Sequence, residues 1–268
     1  MSNTLINIVV AGPRGKMGSE TLRLIEQTEH FNLVGCLDRK NEQMKVKDIE
    51  GLPNLDAPIY TDINQCFTEL RPDVFIDFTT YEAGKKNMVT ALEFGIRPVI
   101  GSSGFTEDDE KELKTLTREK SLGAIIAPNF ALGAVLMMKF AQMAAKHFPD
   151  VEIIEQHHDG KLDAPSGTGI KTAEMIAAVR TEKKQGNPDE KELIEGARGA
   201  DIQGIKLHSI RLPGLIAHQE VLFGAEGQTL KIRHDSLNRT SFMSGVKLAV
   251  ETVMHLDDLV YGLENIIE

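Results

Sequence analysis

Short unbroken apolar runs alternate with amphipathic stretches through the first half of the chain. Residues 5–10, 33–37, 74–78, 97–100 and 124–127 are rich in β-branched or large apolar side chains, as expected of strands buried on both faces. Between them, residues 21–29, 82–94 and 107–120 repeat their apolar positions at the helical period. Strands alternating with helices imply right-handed crossovers and a parallel sheet. Residues 39–59 show no clear period, and no element is assigned to them.

The pattern changes after Asn129. A long helix is expected over residues 131–146, then a strand carrying Val151, Ile153 and Ile154, then a second helix over 167–182. Residues 183–201 are charged and contain Gly186, Pro188, Gly196 and Gly199, which reads as a mobile loop. Strand-like runs at 205–211, 216–223 and 228–234 follow with no helix between them, predicting a mainly antiparallel or mixed sheet. A last helix over 241–256 places Val246, Ala249, Val250 and Val253 on one face. Such a helix needs a surface to cover, and the open side of the first sheet is the expected one.

Composition narrows the function class. The chain has 268 residues, 41% of them hydrophobic and 26% charged, which is ordinary for a soluble globular protein and long enough for two domains. A net charge of −10 argues against general nucleic-acid binding, which needs basic surface to displace counterions. It leaves room for a local basic pocket. No run approaches membrane-spanning length, and residues 5–10 lack the basic flank and cleavage site of a leader. A cytoplasmic protein is expected. Cys36 and Cys66 show neither metal nor redox spacing and are expected to be reduced thiols.

Candidate chemistry falls in two places. The first is the turn after the first strand, where Gly12, Gly15 and Gly18 form a GxxGxxG variant of the dinucleotide fingerprint. The first glycine permits a tight turn, the second lets backbone approach a pyrophosphate, and the third permits close helix–strand packing. Asp38 ends the second strand, where a carboxylate can accept hydrogen bonds from ribose hydroxyls. Arg39 directly follows it and can meet the 2′-phosphate of NADP, so the pair is compatible with either dinucleotide. Three more loops belong at the carboxyl ends of the parallel strands, where open α/β sheets bind ligands. They are Phe78-Thr79-Thr80, Gly101-Ser102-Ser103-Gly104-Phe105 and Ala127-Pro128-Asn129-Phe130. The serines and their backbone N–H groups are expected along a nicotinamide ribose, and Asn129 against cofactor or substrate.

The second place is the stretch from Glu152 to Gly169, in which His157, His158 and Lys161 precede Pro165-Ser166-Gly167-Thr168. The turn reads as a helix start, whose unpartnered N–H groups and dipole favour an anion. Proton donors beside an anion turn suit a small substrate that carries carboxylates and must be protonated. A metal is not expected: neighbours in a strand point to opposite faces, and the Lys161 ammonium would repel a cation. His208, His218 and His234 receive no role, and Met137-Met138 reads as core.

Over essentially its whole length the chain resembles the 4-hydroxy-tetrahydrodipicolinate reductase (dihydrodipicolinate reductase) family. The resemblance rests on Ala11–Gly18, Asp77-Phe78-Thr79, Gly101–Phe105, Ala127–Phe130 and the long motif from Glu152 to Thr168. It implies a Rossmann-type doubly wound parallel sheet in residues 1–129, completed by 240–268. It also implies an α+β domain with a mixed sheet in residues 130–239 that binds substrate and builds a homotetramer. By resemblance, His157 is a proton donor and acceptor and Lys161 a proton donor. His158, Gly167 and Thr168 hold the substrate, and Ser166 belongs to the same turn. Gly12, Pro13, Arg14, Gly15, Lys16, Met17, Asp38, Gly101, Ser102, Ser103, Ala127, Pro128, Asn129 and Phe130 line NADH or NADPH, and Arg39 is the residue to test for NADP. The implied reaction reduces (2S,4S)-4-hydroxy-2,3,4,5-tetrahydrodipicolinate to (S)-2,3,4,5-tetrahydrodipicolinate with loss of water. Closure of the two domains around the ligands is expected.

The chain departs from the family pattern at two points. Ser102-Ser103 stand where two threonines are usual, and Gly169 where alanine is usual. A glycine there costs up to ~1 kcal/mol relative to alanine, predicting a looser helix start. Two other functions fit the chain less well. A phosphorylating semialdehyde dehydrogenase needs a nucleophilic cysteine, whereas Cys36 and Cys66 lie in the cofactor half. A non-catalytic dinucleotide-sensing regulator leaves the His-His-Lys cluster without a purpose.

Overall fold

The computed structural model describes residues 4–181 and 183–267. They divide into two compact units: the first takes residues up to Phe130 and from Phe242 onward, the second Ala131–Ser241.

In the first unit, the apolar runs become β1 (Ile6–Ala11), β2 (Phe31–Leu37), β4 (Val74–Asp77), β5 (Arg97–Ile100) and β6 (Ala124–Ile126). Two short strands not expected from the pattern extend the sheet at its edges, β3 (Ile59–Tyr60) and β12 (Leu259–Tyr261). The seven strands are parallel, in the order β12-β6-β5-β4-β1-β2-β3. From β1 the connection through α1 (Lys16–Gln27) runs toward β2, while the one through α3 (Tyr81–Glu93) runs from β4 toward β5. Right-handed crossovers in opposite directions put these helices on opposite faces. One face gathers Val9, Ala11 and Phe75 against Cys66, Phe67 and Ala91. There α2 (Ile63–Leu70), an unexpected helix capped by Asp62, supplies Cys66 and Phe67. The other covering helix is α7 (Met243–Val253), which packs on α1, β5 and β6 and buries Val246, Ala249, Val250 and Val253. The terminal helix thus covers the first sheet, as its apolar face requires.

α4 (Glu107–Lys120) matches its expected bounds. Thr106 and Asp109 form a reciprocal cap at its start, with acids in the first turn and Arg118 and Lys120 in the last, so both ends complement the helix dipole.

The second unit opens with α5 (Leu132–Ala145), then β7 (Asp150–His157) and α6 (Gly167–Ala177). The helix expected to reach 182 stops at Ala177, and Glu182 lies outside the described residues. β8 (Ala200–Ile202), β9 (Ile205–Arg211), β10 (Ala217–Ala225) and β11 (Gln228–Ser236) complete a sheet ordered β11-β10-β7-β9-β8. β7 pairs antiparallel with β10 and parallel with β9, so the sheet is mixed. Alternation along β7 sends Val151 and Ile153 into a core with Ala173, Ile176, Leu207, Val221 and Phe223. The segment expected as a mobile loop is tied down by charge. Arg198 donates to Glu152 on β7 (2.5 Å) and to Glu190 (2.9 Å), and the N–H groups of Gly196 and Arg198 donate to Glu192. No helix among the described residues is long and apolar enough to cross a membrane.

Candidate active site

β1 lies between β2 and β4, where the strand order reverses, which is the point at which such sheets bind ligands. Gly12 adopts φ +74°, the left-handed region open to glycine, and its carbonyl accepts the Gly15 N–H at 3.0 Å. A Cβ on Gly18 would drive into that same carbonyl, so the glycine is what lets α1 start against the turn. No side chain caps α1, leaving its first amides for an external acceptor. A cavity of about 760 Å³ opens here, lined by Gly12, Gly15, Arg14, Asp38, Arg39 and Thr79 among others.

Arg14 holds Asp38 by a two-pronged ion pair, Nε to Oδ2 and Nη2 to Oδ1, both 2.7 Å. Burial works to raise the Asp38 carboxyl, but the Arg14 bonds and the N–H groups of Lys40 and Arg39 bring it below the usual range. The sequence drew attention to Arg39, yet the guanidinium that engages Asp38 is Arg14. The next loop is set by Asp77, fully buried at the end of β4. It accepts from the Thr79 N–H (2.6 Å), the Thr79 hydroxyl (2.5 Å) and Asn87 (2.8 Å).

Of the expected cofactor residues, Gly12, Arg14, Gly15, Asp38, Arg39, Phe78 and Thr79 line this cavity. Pro13, Lys16, Met17, Gly101, Ser102, Ser103 and Ala127–Phe130 lie outside its lining. Gly101 sits under two rings, Phe78 and Phe130, which meet edge-to-face at 5.7 Å; any Cβ on it would strike Phe78. Ser102 departs from the open hydroxyl expected. Its Oγ is buried without a partner, turned toward Gly84, where a Cβ would come within 2.8 Å of it. Ser103 is exposed. Both cysteines are free and buried, and burial pushes both thiols up, Cys66 to about 12. Neither has the thiolate character a nucleophile needs.

The histidine cluster belongs to the second unit. β7 ends at His157, which shares its face with Glu155, while His158 is exposed in the turn beyond. Glu155 has a fully buried side chain, and its Oε2 meets His157 Nδ1 at 2.5 Å. Arg211, paired with His157 across the β7–β9 ladder, donates Nη1 to Oε2 (2.9 Å) and Nη2 to Oε1 (2.8 Å). The Ser166 N–H also donates to Oε1, at 3.1 Å. Burial works to raise the Glu155 carboxyl, but bonds from His157, Arg211, Ser209 and Ser166 outweigh it and hold it at about 2.

The turn after β7 closes when the Lys161 N–H donates to the His158 carbonyl (3.1 Å). Lys161 Nζ pairs with Asp163 at 2.7 Å, and the carbonyl of Asp163 accepts Arg211 Nη2 at 2.8 Å. Ser166 is the N-cap of α6, its hydroxyl accepting the Gly169 N–H at 3.1 Å. The helix start expected to be loose is therefore capped. Gly169 is buried, and a Cβ there would lie 3.2 Å from both Leu207 Cδ1 and Ser166 Oγ. Gly167 faces open space. Among the unassigned histidines, His208 pairs with Glu152 and His218 with Asp235. No group of three or more His, Cys, Asp or Glu among the described residues is arranged to hold a metal.

Arg211 was not singled out by sequence reasoning, and Glu155 and Asp77 entered it only inside motifs, with no role of their own. Glu155 left one signal: it has the same strand parity as buried Val151 and Ile153, which marks it as a buried carboxylate. Arg211 reaches the site only through ladder register.

A family model described as the N-terminus of dihydrodipicolinate reductase matches residues 6–130, and one for its C-terminus matches residues 133–267. A protein of Bacillus pumilus named 4-hydroxy-tetrahydrodipicolinate reductase is 67% identical over the full length of both chains. A Bacillus subtilis protein of the same name is 66% identical, again over both full lengths. A solved dipicolinate-bound dihydrodipicolinate reductase from Paenisporosarcina sp. TG-14 superimposes with a TM-score of 0.91 at 50% identity, covering 98% of this chain and 100% of that one.

Proposed function

The chain belongs to the dihydrodipicolinate reductase family, and we propose that it reduces (2S,4S)-4-hydroxy-2,3,4,5-tetrahydrodipicolinate to (S)-2,3,4,5-tetrahydrodipicolinate with NADH or NADPH. This is a step toward diaminopimelate and lysine. The observation that carries the reading is the Glu155-held His157 beside the Ser166-capped turn, in a chain 66–67% identical from end to end to proteins named for this reaction.

A dinucleotide fits the first unit. The left-handed Gly12, the close approach at Gly18, the uncapped start of α1 and the Asp38 carboxylate at a 760 Å³ cavity are what pyrophosphate and ribose require. Gly12–Met17 would take the pyrophosphate, and Asp38 with Arg14 and Arg39 the adenosine ribose. Gly101–Ser103 and Ala127–Phe130 would take the nicotinamide end. The bound cofactor supplies a hydride to ring C4 of the substrate.

The second unit supplies grip and protons. In the overall change, hydride replaces a hydroxyl that departs as water, so one proton is consumed. His157 gives that proton through Nε2, and Lys161 assists as a second donor. The turn at Ser166, Gly167 and Thr168 holds one carboxylate, and His158 helps retain the ring. On this reading the first unit is the dinucleotide-binding domain and the second the substrate domain. Hydride transfer then requires ligands to draw the two together.

The family resemblance adds a homotetramer and a cytoplasmic setting. The sheet of the second unit keeps α5 and α6 on one face, leaving the other for partner copies; a single-chain mass in sedimentation would reject the tetramer. The function itself is tested by oxidation of NADPH and NADH in side-by-side steady-state assays. Oxidation that depends on the 4-hydroxy substrate is expected, and none with either nicotinamide would favour the sensor reading. In the same assay His157→Gln lowers kcat by about 10²–10⁴-fold with modest change in KM.

A further inference from the structure

We infer that Glu155 is the positioning residue of this site: its carboxylate fixes the tautomer and orientation of His157 and, through the Ser166 amide, locks the proton donor in register with the anion-holding turn. The inference rests on the reading of His157 as proton donor. Glu155 touches neither substrate nor cofactor in that scheme and acts through its neighbours.

The hydrogen bonds to the Glu155 carboxylate, to which the Ser209 hydroxyl also contributes, decide the tautomer. An ionised carboxylate only accepts. Oε2 lies 2.5 Å from His157 Nδ1 and also receives Arg211 Nη1, while Oε1 receives Arg211 Nη2 and the Ser166 N–H. The ring proton between Glu155 and His157 therefore sits on Nδ1. Nε2 is left as the atom that gives or takes a proton at the open side. The imidazolium form, with both nitrogens protonated, is equally well accommodated, because its Nδ1–H keeps the same acceptor.

The same carboxylate reaches the rest of the cluster through Arg211. The guanidinium that braces Glu155 also donates to the Asp163 carbonyl, and the Asp163 side chain accepts Lys161. The charged groups linked to His157 are thus Glu155 on its own strand, Arg211 from β9, and, through the Asp163 carbonyl that Arg211 holds, Lys161 with Asp163 from the following turn. From β10, the register partners of Glu155 and His157 are Gln219 and Ala217, which bring no charge. One buried bidentate pair connects both proposed proton donors to the cap of α6.

Glu155→Gln is a sharp test because it keeps the volume and changes the polarity of one atom. The Ser166 N–H and Arg211 Nη2 demand an acceptor at the Oε1 position, so the amide oxygen settles there. The amide nitrogen then faces His157 Nδ1 as a donor, which forces the ring proton onto Nε2 and leaves no acceptor for an imidazolium. The expected results are a kcat about 10²–10⁴-fold lower and ¹⁵N spectra in which His157 Nδ1 moves from the protonated to the unprotonated region. Dipicolinate affinity is expected to change only a few-fold, since the Ser166 amide keeps its acceptor. In a His157→Gln background the same substitution is expected to lower kcat no further, because its route to the reaction is gone. If Glu155→Gln does not fold, Glu155→Gln/Arg211→Met removes the guanidinium left without its anion, and the same tautomer change is expected there. Equal loss of kcat in both backgrounds, or Nδ1 still protonated in the glutamine variant, overturns the inference. Wild-type kcat in His157→Gln alone would instead overturn the reading of His157 as donor.

Discussion

Acidification is expected to draw stability from the second unit through Glu155. Burial opposes ionisation of this carboxyl, yet the bonds from His157, Arg211, Ser209 and Ser166 lower it from its ordinary 4.5 to about 2. A carboxyl lowered by folding contributes stability that is complete above the ordinary value and is lost as pH falls through the folded one. The window is therefore about pH 4.5 down to about pH 2. At about 1.36 kcal/mol per pH unit, the gap corresponds to about 3 kcal/mol from one group. Asp163, Asp201, Glu192 and Asp235 in the same unit are also lowered, by hydrogen bonds and nearby cations. The contribution of Glu155 must then be read as a difference from Glu155→Gln. Urea unfolding by far-UV circular dichroism, at fixed protein concentration from about pH 7 to about pH 3, measures it. Tyr60, Tyr81 and Tyr261 all lie in the first unit and the chain has no tryptophan. A transition silent in tyrosine fluorescence is consequently that of the second unit. Below about pH 4.5 its stability is expected to fall with pH more steeply in the wild type, by one proton, than in the glutamine variant. Parallel curves for the two proteins would refute the reasoning.

Three further outcomes follow from single contacts. Gly18→Ala forces a Cβ into the Gly12 carbonyl, and overpacking against backbone costs about 1–3 kcal/mol; the tyrosine-reporting transition is expected at lower urea with weaker NADPH binding, and an unchanged midpoint would contradict this. Arg14→Ala frees both oxygens of Asp38 for ribose hydroxyls and removes a guanidinium from the same cavity. The ratio of dissociation constants, measured by nucleotide fluorescence, is expected to move toward NADH; an unmoved ratio would take Arg14 out of cofactor selection. Gly169→Ala meets Leu207 Cδ1 and Ser166 Oγ, each at 3.2 Å, and Glu155 Cγ at 3.5 Å, so a small steric cost is set against a helix gain of up to ~1 kcal/mol. Tm and kcat are expected to stay near wild type, and a large loss of either would show that this turn cannot yield.

Much of the fold was legible because its causes are local. The five central strands are apolar runs buried on both faces, and Gly12, Gly15 and Gly18 mark a turn whose backbone needs them. The edge strands β3 and β12 have two and three residues, too few to carry a period, and they exist only because β2 and β6 present open edges. α2 was missed for a similar reason: its eight residues bury little beyond Cys66 and Phe67, and tertiary packing rather than pattern decides them. At the site, His157, Lys161 and the Ser166 cap were visible as residue types with known chemistry. Arg211 lies 56 positions from Glu155, and nothing in the chain announces that pairing. Arg14 and Asp38 were both in view, but as separate parts of a turn and a strand end. That they neutralise each other is a fact of three dimensions.

The most direct test follows the hydride itself. The substrate, supplied with nicotinamide dinucleotide deuterated at its reactive position, is turned over once and the product is read by NMR. The account predicts one deuterium at ring C4, in the position the hydroxyl left. Deuterium elsewhere, or an unlabelled product retaining the hydroxyl, would contradict it.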